Sequence, residues 1–455
     1  MEKKTTAVFE ELRRNVAGID LAWRADHYVC GPRGEDGECE IASFGTTTPE
    51  LHRMLRWLKE RRVESVAVES TSVYWIPTAD LLESNGIEVV LVDAREVRMV
   101  PGRKSDVQDC QWLQKLHSCG LLRGAFRPPE AVAAARTILR EKETLTAMRT
   151  QAIQQMQKSL NQMNIRVHHA VSDIDGKTGT AIIQAILEGE RNPARLAALR
   201  DKRCKKSERE IADHLTGTWR DEHLFNLGQA FKTMQFLDER IAEYERKASQ
   251  MFSALAGPPG TPGDQPPPLP GGKPAVKERA NAAGIADLHR FLGFDITEIP
   301  GIGYDTAAVV VSELGKDFDR FPDESRFSSY IGLAPSLGKS AGKNVRHKHC
   351  KNTSRVGRAL RMAASTLHRS QTELGAFLRN VARRTDKKTA VKATARRMAH
   401  MIYRGVKYGQ EYIDRGADEY EARLRTRTLK TVNRLIKSFG IIGSAISASP
   451  REKRK

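Results

Sequence analysis

The chain has no long hydrophobic run and few aromatic residues. In its 455 residues no stretch approaches the ~18 consecutive apolar residues that a membrane-spanning helix needs. The first twenty residues lack the apolar core of a secretory signal peptide. Aromatic residues make up only 6%, which argues against a helix anchored at a membrane surface. We therefore expect a cytoplasmic protein with no membrane partner.

Cysteine pairs of the metal-binding or redox-active kind are also missing, since none of the six cysteines forms a CxxC motif. In a cytoplasmic chain of this length we expect reduced thiols. The stretch "HKHC" from His347 to Cys350 contains metal-ligating residue types. It has no second pair at zinc-finger spacing, and the neighbouring cations Arg346 and Lys351 oppose a bound metal ion. The cysteine positions are Cys30, Cys39, Cys110, Cys119, Cys204 and Cys350.

Acidic residues are absent from Ser325 to Thr372, the most basic part of the chain. The whole chain has 75 Lys and Arg against 56 Asp and Glu, a formal charge of +19. Such an excess predicts a polyanionic partner, and a long segment without balancing acids predicts contact with phosphates. We therefore expect nucleic acid as the partner. The basic residues of this segment are Arg326, Lys339, Lys343, Arg346, Lys348, Lys351, Arg355, Arg358, Arg361 and Arg369.

The first part of the chain, residues 1–127, has the pattern of an α/β domain. Short apolar runs at "NVAGIDLAW", "HYVCG" and "CEIASFG" predict strands connected as hairpins. Helical patterns then alternate with the apolar runs "ESVAVES" and "IEVVLVD". Hairpin-connected strands followed by alternating helix and strand predict an RNase H-like fold.

The rest of the chain divides by composition into four parts. Residues 128–256 contain long amphipathic patterns, which predict either a coiled coil or a plain helical hairpin and a contact between protomers. Residues 257–277 are rich in proline and glycine, so they predict a linker. Residues 278–440 predict a mainly α-helical C-terminal domain, and 441–455 a disordered basic tail.

The segment "ITEIPGIGYDTAAVVVSELG" predicts the turn of a helix-hairpin-helix motif. There Gly301 and Gly303 would let backbone N–H groups and a helix N-terminus approach a phosphate. A helix–turn–helix unit that serves only packing is the alternative.

Four carboxylates from three distant segments predict a metal site. Asp20 lies in the first strand and Glu69 ends the fourth, and in an RNase H-like sheet these strands are neighbours. Asp106 and Asp109 share one face of the following helix, because residues three apart are neighbours there. Oxygen-rich cages suit Mg²⁺ or Mn²⁺, and two ions would align the oxygens in phosphodiester chemistry. The competing acids nearby are Asp26, Asp93 and Glu96.

The stretches "AGIDLA", "VESTSVYW", "GRKSDVQD" and "YIGLAPS" resemble the motifs of the DEDD transposases, which are insertion-sequence recombinases. The resemblance covers nearly the whole chain, and the motifs occur in the family's order. It implies an N-terminal resolvase-like domain and a C-terminal transposase domain. It also implies that Asp20, Glu69, Asp106 and Asp109 are the catalytic, metal-binding set.

The resemblance further implies a serine nucleophile in "GLAPSLGKSAGKNVR". Ser340 is our choice because small residues and a base follow it, and Ser336 is the second candidate. The family commonly has a Ser-Gly step, and this chain departs from it with Ser340-Ala341-Gly342. A serine hydroxyl needs a base or a metal to be activated, and neighbouring cations would neutralise phosphate charge. The expected nucleic-acid-binding residues are Gly301, Gly303, Lys339, Lys343, Arg346, Lys348, Lys351 and Arg355.

The main hypothesis is a transposase that cuts and rejoins element DNA. The resemblance implies an element-encoded guide RNA as a partner, with assembly into homodimers or homotetramers. One alternative is a metal-dependent Holliday-junction-type endonuclease that uses the four acids and no serine. Another is a nucleic-acid-binding scaffold, but four acids would repel DNA unless a metal were bound.

Overall fold

The structure is a computed structural model, and it divides into two compact units, Met1–Arg127 and Pro128–Lys455. The side chains of Asp106 and of both strands between 338 and 345 lie outside what it describes. So do most of the expected linker and the whole expected tail. The described residues are 11–22, 26–34, 37–70, 73–93, 106–204, 206–258, 281–335, 338–340, 343–345 and 354–410, with a few positions between 425 and 436.

The first unit is built on a mixed five-stranded sheet with the order β3-β2-β1-β4-β5. The first three strands are antiparallel neighbours, whereas β1, β4 and β5 run parallel to one another. The N-terminal α/β architecture predicted from the sequence is confirmed, and the strand order is compatible with an RNase H-like fold. The strands are β1 Val16–Asp20, β2 His27–Arg33, β3 Cys39–Phe44, β4 Ser65–Glu69 and β5 Glu88–Val92.

Helices cover both faces of this sheet. Residues along β4 point alternately to the two sides, so the strand contributes to a core on each face. Val66 and Val68 lie in the core that includes Leu51, Met54, Leu55 and Leu58 of the first helix, which recur at helical spacing. Ala67 lies instead in a smaller core with Val92 and Leu113. The helices are α1 Thr48–Glu60, α2 Trp75–Glu83 and α3 Asp106–Ser118.

Two long helices that pack against each other begin the second unit: α4 Glu130–Gln162 and α9 Asp221–Ala256. Of the two predicted alternatives, the structure shows a helical hairpin within one chain. A small helical cluster connects the two, and its core includes Ile182 and Ile186 beside Met156 of α4. The connecting helices are α5 Val167–Ala170, α6 Lys177–Leu187, α7 Pro193–Ala198 and α8 Glu208–Leu215.

The C-terminal part of this unit is mainly helical, as expected. Its core also includes Val132 and Ala135 of α4 and Phe252 of α9, so one end of the long hairpin is part of this fold. The helices are α10 Ala282–Leu292, α11 Tyr304–Leu314, α12 Glu324–Tyr330, α13 Arg355–Thr366, α14 Glu373–Arg384 and α15 Lys387–Tyr408. Short 3₁₀ turns span Ile296–Glu298 and Leu367–Arg369.

Side-chain caps explain where the last helices begin. Asp323, Ser354, Thr372 and Asp386 each precede a helix and accept a hydrogen bond from a backbone N–H of its first turn. Among the helices that the structure describes, none has the length and apolar composition required to cross a membrane.

Candidate active site

Asp20 and Glu69 lie next to each other along one edge of the sheet. The parallel register pairs Ile19 with Val68, and each acid is the next and last residue of its strand. Parallel strands end at the same edge, so the two carboxylates leave the sheet at neighbouring positions. Both residues are half-buried. The sheet therefore places the first two predicted acids side by side.

Gly18 allows the helix that carries the other two acids to lie directly on β1. A Cβ atom on this glycine would come within 3.0 Å of the Cys110 carbonyl oxygen and the Gln114 backbone nitrogen. Both atoms belong to α3, whose first residue is Asp106. Backbone atoms cannot move away as a flexible side chain can, so this close approach requires glycine. Asp109 immediately precedes the contact.

The carboxylates of Asp20 and Asp109 both act on the buried thiol of Cys110. The buried Cys110 thiol has a pKa raised to about 12, mainly because burial disfavours the thiolate. The carboxylate of Asp20 raises this pKa further, and that of Asp109 adds to it. Two acids from distant segments thus act on the same thiol. Asp20 and Asp109 are therefore both within electrostatic range of Cys110.

The complete four-acid set is not visible in the described residues. The side chain of Asp106 lies outside them. Within the part of the chain that the structure describes, no three His, Cys, Asp or Glu side chains are arranged to hold a metal ion. Of the competing acids, Asp26 precedes β2 and Asp93 follows β5, whereas Glu96 is outside the described residues. The metal-binding role of the four acids stays a prediction.

Sequence reasoning missed His27, which supports the turn after Asp20. Its side chain is 3% exposed, and Nδ1 accepts a hydrogen bond from the backbone N–H of Ala22. Burial lowers the pKa of His27, and Asp26 opposes this effect. The imidazole is therefore neutral at neutral pH. Nothing in the sequence distinguishes this histidine from an ordinary strand residue.

A second missed contact joins the other end of α3 to the sheet. Ser65 Oγ at the start of β4 lies 2.8 Å from His117 Nε2 in a buried hydrogen bond. Burial lowers the pKa of His117 to about 4, so the imidazole is neutral at pH 7. The two residues are far apart in sequence, and no spacing rule connects them.

The predicted serine segment forms a short antiparallel hairpin with strands β6 Gly338–Ser340 and β7 Lys343–Val345. In its register Ser340 pairs with Lys343 and Lys339 with Asn344. The register concerns the backbone alone, because the side chains of these strands lie outside what the structure describes. The predicted residues Ser336, Arg346, Lys348 and Lys351 lie outside the described residues altogether.

Both flanks of the segment that carries this hairpin are held in the core. On one side Ile331 and Leu333 are buried. On the other, α13 begins with Gly357 in its first turn, and a Cβ there would come within 3.0 Å of the Ile331 carbonyl oxygen. The chain before the hairpin and the helix after it are thus in direct contact, which restricts where the hairpin can extend.

Arg355, a predicted phosphate contact, forms ion pairs within the protein. It is bound to Glu143 of α4 and lies 3.8 Å from a Glu313 carboxylate oxygen of α11. Arg358, one turn later, also pairs with Glu143, at 3.2 Å. Burial lowers the pKa of Arg355, and the neighbouring Arg140 and Arg358 lower it further. The structure thus shows an anchor for α13, and a phosphate contact by Arg355 stays a prediction.

The two glycines of the predicted helix-hairpin-helix turn differ in their surroundings. Gly301 has φ +90°, and a Cβ on it would lie 3.0 Å from the Ala363 carbonyl oxygen. Gly303 is the extended N-cap of α11, and no described atom lies within 4 Å of its Cβ position. Packing against α13 thus requires the first glycine, and the second borders open space. Asp305 in the first turn is 3.3 Å from Lys142.

Two family models match this chain, and each match contains one of the predicted sites. Residues 17–165 match the model of DEDD transposases of the IS110 type, which is described as "Transposase". Residues 295–379 match "Transposase IS116/IS110/IS902 family". The first match contains Asp20, Glu69 and α3, and the second contains α11 and the serine hairpin. No curated protein matches the chain.

The acid-bearing mixed sheet and the two matches together define an enzyme that acts on DNA, a transposase or recombinase. The chain belongs to the IS110 family of DEDD transposases. The resemblance noted in the sequence is therefore confirmed. Membership implies DNA binding and the use of a divalent metal ion.

Proposed function

We propose that this transposase cuts and rejoins insertion-element DNA with an acid site in its first unit and a serine nucleophile in its second. The acid site would consist of Asp20, Glu69, Asp106 and Asp109, and the nucleophile would be Ser340. The observation that carries the proposal is the contact of Gly18 with α3, because it sets the helix with Asp109 on the strand that ends at Asp20.

The acid site fits a divalent cation by its chemistry. Carboxylate oxygens are the ligands that Mg²⁺ and Mn²⁺ prefer. Asp20 and Glu69 leave adjacent paired strands, so the backbone restricts both ligands before any ion binds. A bound divalent ion supplies charge neutralisation at a phosphodiester. Asp109 and Asp106, one turn of α3 apart, would complete the ligand set from above the sheet edge.

The serine step would conserve the energy of the DNA backbone. The Ser340 oxygen would form a bond to phosphorus while the bond to the leaving DNA oxygen breaks, and the serine proton would pass to a base. The covalent serine–DNA phosphodiester could then be attacked by another DNA end, which restores the hydroxyl. Lys339, Lys343 and Arg346 would neutralise the phosphate charge in the transition state. Ser336 remains the second candidate.

The partners would be element DNA and a structured guide RNA, bound in the cytoplasm. The net charge of +19 supports a polyanionic partner and contacts to nucleic-acid backbones. The long helices would contact a second protomer in a homodimer or homotetramer. Phe225 and Phe236 on α9, 66% and 57% exposed, support this contact. They are eleven residues apart and so lie on one side of the helix.

A covalent-adduct assay tests the proposal. Wild type, Ser340→Ala, Ser336→Ala and Asp109→Asn would be incubated with element-end DNA, the RNA encoded beside it and Mg²⁺, then denatured. We expect a DNA-linked peptide that contains Ser340, no adduct from Ser340→Ala or Asp109→Asn, and a normal yield from Ser336→Ala. Adducts from Ser340→Ala at the wild-type yield would contradict the serine assignment.

A metal-dependent Holliday-junction-type endonuclease is the second candidate. The observation in its favour is that all four acids belong to one compact unit, Met1–Arg127, which has its own core. This activity would produce cleaved junction DNA with no protein attached. Cleavage that is insensitive to both serine changes and absent from Asp109→Asn would support it.

A further inference from the structure

Two contacts at separate points along α3 help to determine how this helix lies on the sheet. The first is with Gly18, where α3 meets β1 backbone to backbone. A Cβ atom at Gly18 would also come within 3.0 Å of Leu113 Cβ, in addition to the Cys110 and Gln114 backbone. One full turn of α3, from Cys110 to Gln114, therefore lies as close to β1 as the backbone of the strand allows. Any side chain at position 18 would push this turn away from β1.

The second contact is the hydrogen bond between Ser65 and His117, near the end of α3. The two residues are 4% and 2% exposed. Because both groups are buried, neither can form a hydrogen bond to water instead. The pair is therefore satisfied only while both partners keep their positions. Arg13 and Glu88 are the charged groups that act on His117. The backbone N–H groups of Leu12 and Arg13 also donate to the Ser118 carbonyl oxygen.

Two contacts at separate points along one helix restrict its sliding and rotation relative to the sheet. Asp109 directly precedes the first contact, so its distance from Asp20 depends on both contacts. We infer that Gly18 and the Ser65–His117 pair are positioning residues that hold Asp109 beside Asp20 in the ligand geometry of the acid site. The inference rests on the proposed metal-binding function of these acids. It predicts that small changes at the two contacts weaken metal binding without removing any ligand.

The test is Mn²⁺ titration of the full-length protein by calorimetry, at a temperature well below the unfolding midpoint of each variant. The test variants are Gly18→Ala and Ser65→Ala. Ser65→Thr keeps the hydroxyl, and Asp109→Asn removes a ligand. Gly124→Ala is the matched glycine control, because a Cβ there would make an ordinary contact of 3.6 Å with Val90.

We expect Gly18→Ala to raise the Mn²⁺ dissociation constant at least tenfold and Ser65→Ala at least threefold. Ser65→Thr and Gly124→Ala should stay within twofold of wild type. A merely structural role would lower the unfolding midpoint and leave the Mn²⁺ affinity of the folded protein unchanged. Rescue by Ser65→Thr would show that the hydroxyl is the group that matters.

The outcomes separate this inference from the proposed function. Wild-type Mn²⁺ affinity in Asp109→Asn would contradict the metal-site assignment itself. Loss of affinity in Asp109→Asn, with wild-type affinity in Gly18→Ala and Ser65→Ala, would overturn the positioning inference and leave the metal site intact. If Gly18→Ala does not fold, the Ser65 variants decide, and equal affinities in Ser65→Ala and wild type overturn the inference.

Discussion

Arg140 of α4 and Glu313 of α11 are 173 residues apart and form a two-point ion pair. Arg140 donates from Nε and Nη2 to the two carboxylate oxygens, each at 2.8 Å. Glu313 also lies 3.3 Å from Arg136, and its side chain is only 13% exposed. Because Arg355 approaches the same carboxylate, Glu313 connects the long helical hairpin to the start of α13.

Glu313→Ala should destabilise the second unit by about 2 to 3 kcal/mol, because it leaves partly buried arginines without their acidic partner. Urea unfolding followed by far-ultraviolet circular dichroism measures the change. Glu243→Ala is the control, since it removes an exposed pair with Arg240 and should cost less than about 0.5 kcal/mol. Equal costs for the two variants would contradict the anchoring role of Glu313.

Gly357→Ala should change the position of the serine hairpin, although residue 357 lies outside the hairpin. Its Cβ would press on the Ile331 carbonyl oxygen and separate the two flanks of the hairpin segment. We expect the yield of serine–DNA adduct to fall at least tenfold while Mn²⁺ binding by the first unit stays at the wild-type level. Adduct formation at the wild-type yield would show that the flank contact does not matter to the reaction.

The two glycines before α11 should respond differently to alanine. Gly301→Ala should cost about 1 to 2 kcal/mol of stability, because an L residue is strained at positive φ and tight against Ala363. Gly303→Ala should cost less than Gly301→Ala, because its Cβ would enter open space and the only loss is that alanine is a poorer N-cap than glycine. If this turn binds a phosphate, Gly303→Ala should weaken DNA binding in a fluorescence-anisotropy titration. Unchanged DNA affinity would support the packing-only alternative.

Acid should destabilise the first unit through His117. Its folded-state pKa of about 4 is below the usual 6.5, so the unfolded chain binds more protons between these values. The unfolding free energy should therefore fall as the pH drops from 6.5 towards 4. We expect His117 to contribute about 1 to 2 kcal/mol of the difference between pH 7.5 and pH 5.

His117→Gln should remove this part of the pH dependence. His27, whose pKa is also lowered, should contribute to the pH dependence that remains. Urea unfolding followed by tryptophan fluorescence at several pH values measures the unfolding free energy of the first unit. This unit contains Trp23, Trp57, Trp75 and Trp112. A pH dependence in His117→Gln equal to that of wild type would contradict a buried neutral imidazole.

Local sequence patterns predicted the strands and the acids because each depends on near neighbours. The apolar run that ends at Asp20 and the run that ends at Glu69 are visible without any tertiary structure. The contacts that support these acids cannot be seen in the sequence. Gly18 contacts Cys110, and Ser65 contacts His117, only when α3 packs on the sheet. Arg355 shows the same limit: the basic segment predicted a phosphate contact, and its carboxylate partners lie on distant helices.

The most direct test of the acid site is a crystal structure with Mn²⁺, in which anomalous scattering identifies the ion. We expect an anomalous peak within ligand distance of Asp20, Glu69 and Asp109, with Asp106 completing the set. The same peak should be absent from crystals of Asp109→Asn. Mn²⁺ bound elsewhere in the protein, with these carboxylates making no contact to it, would contradict the metal-binding role of the four acids.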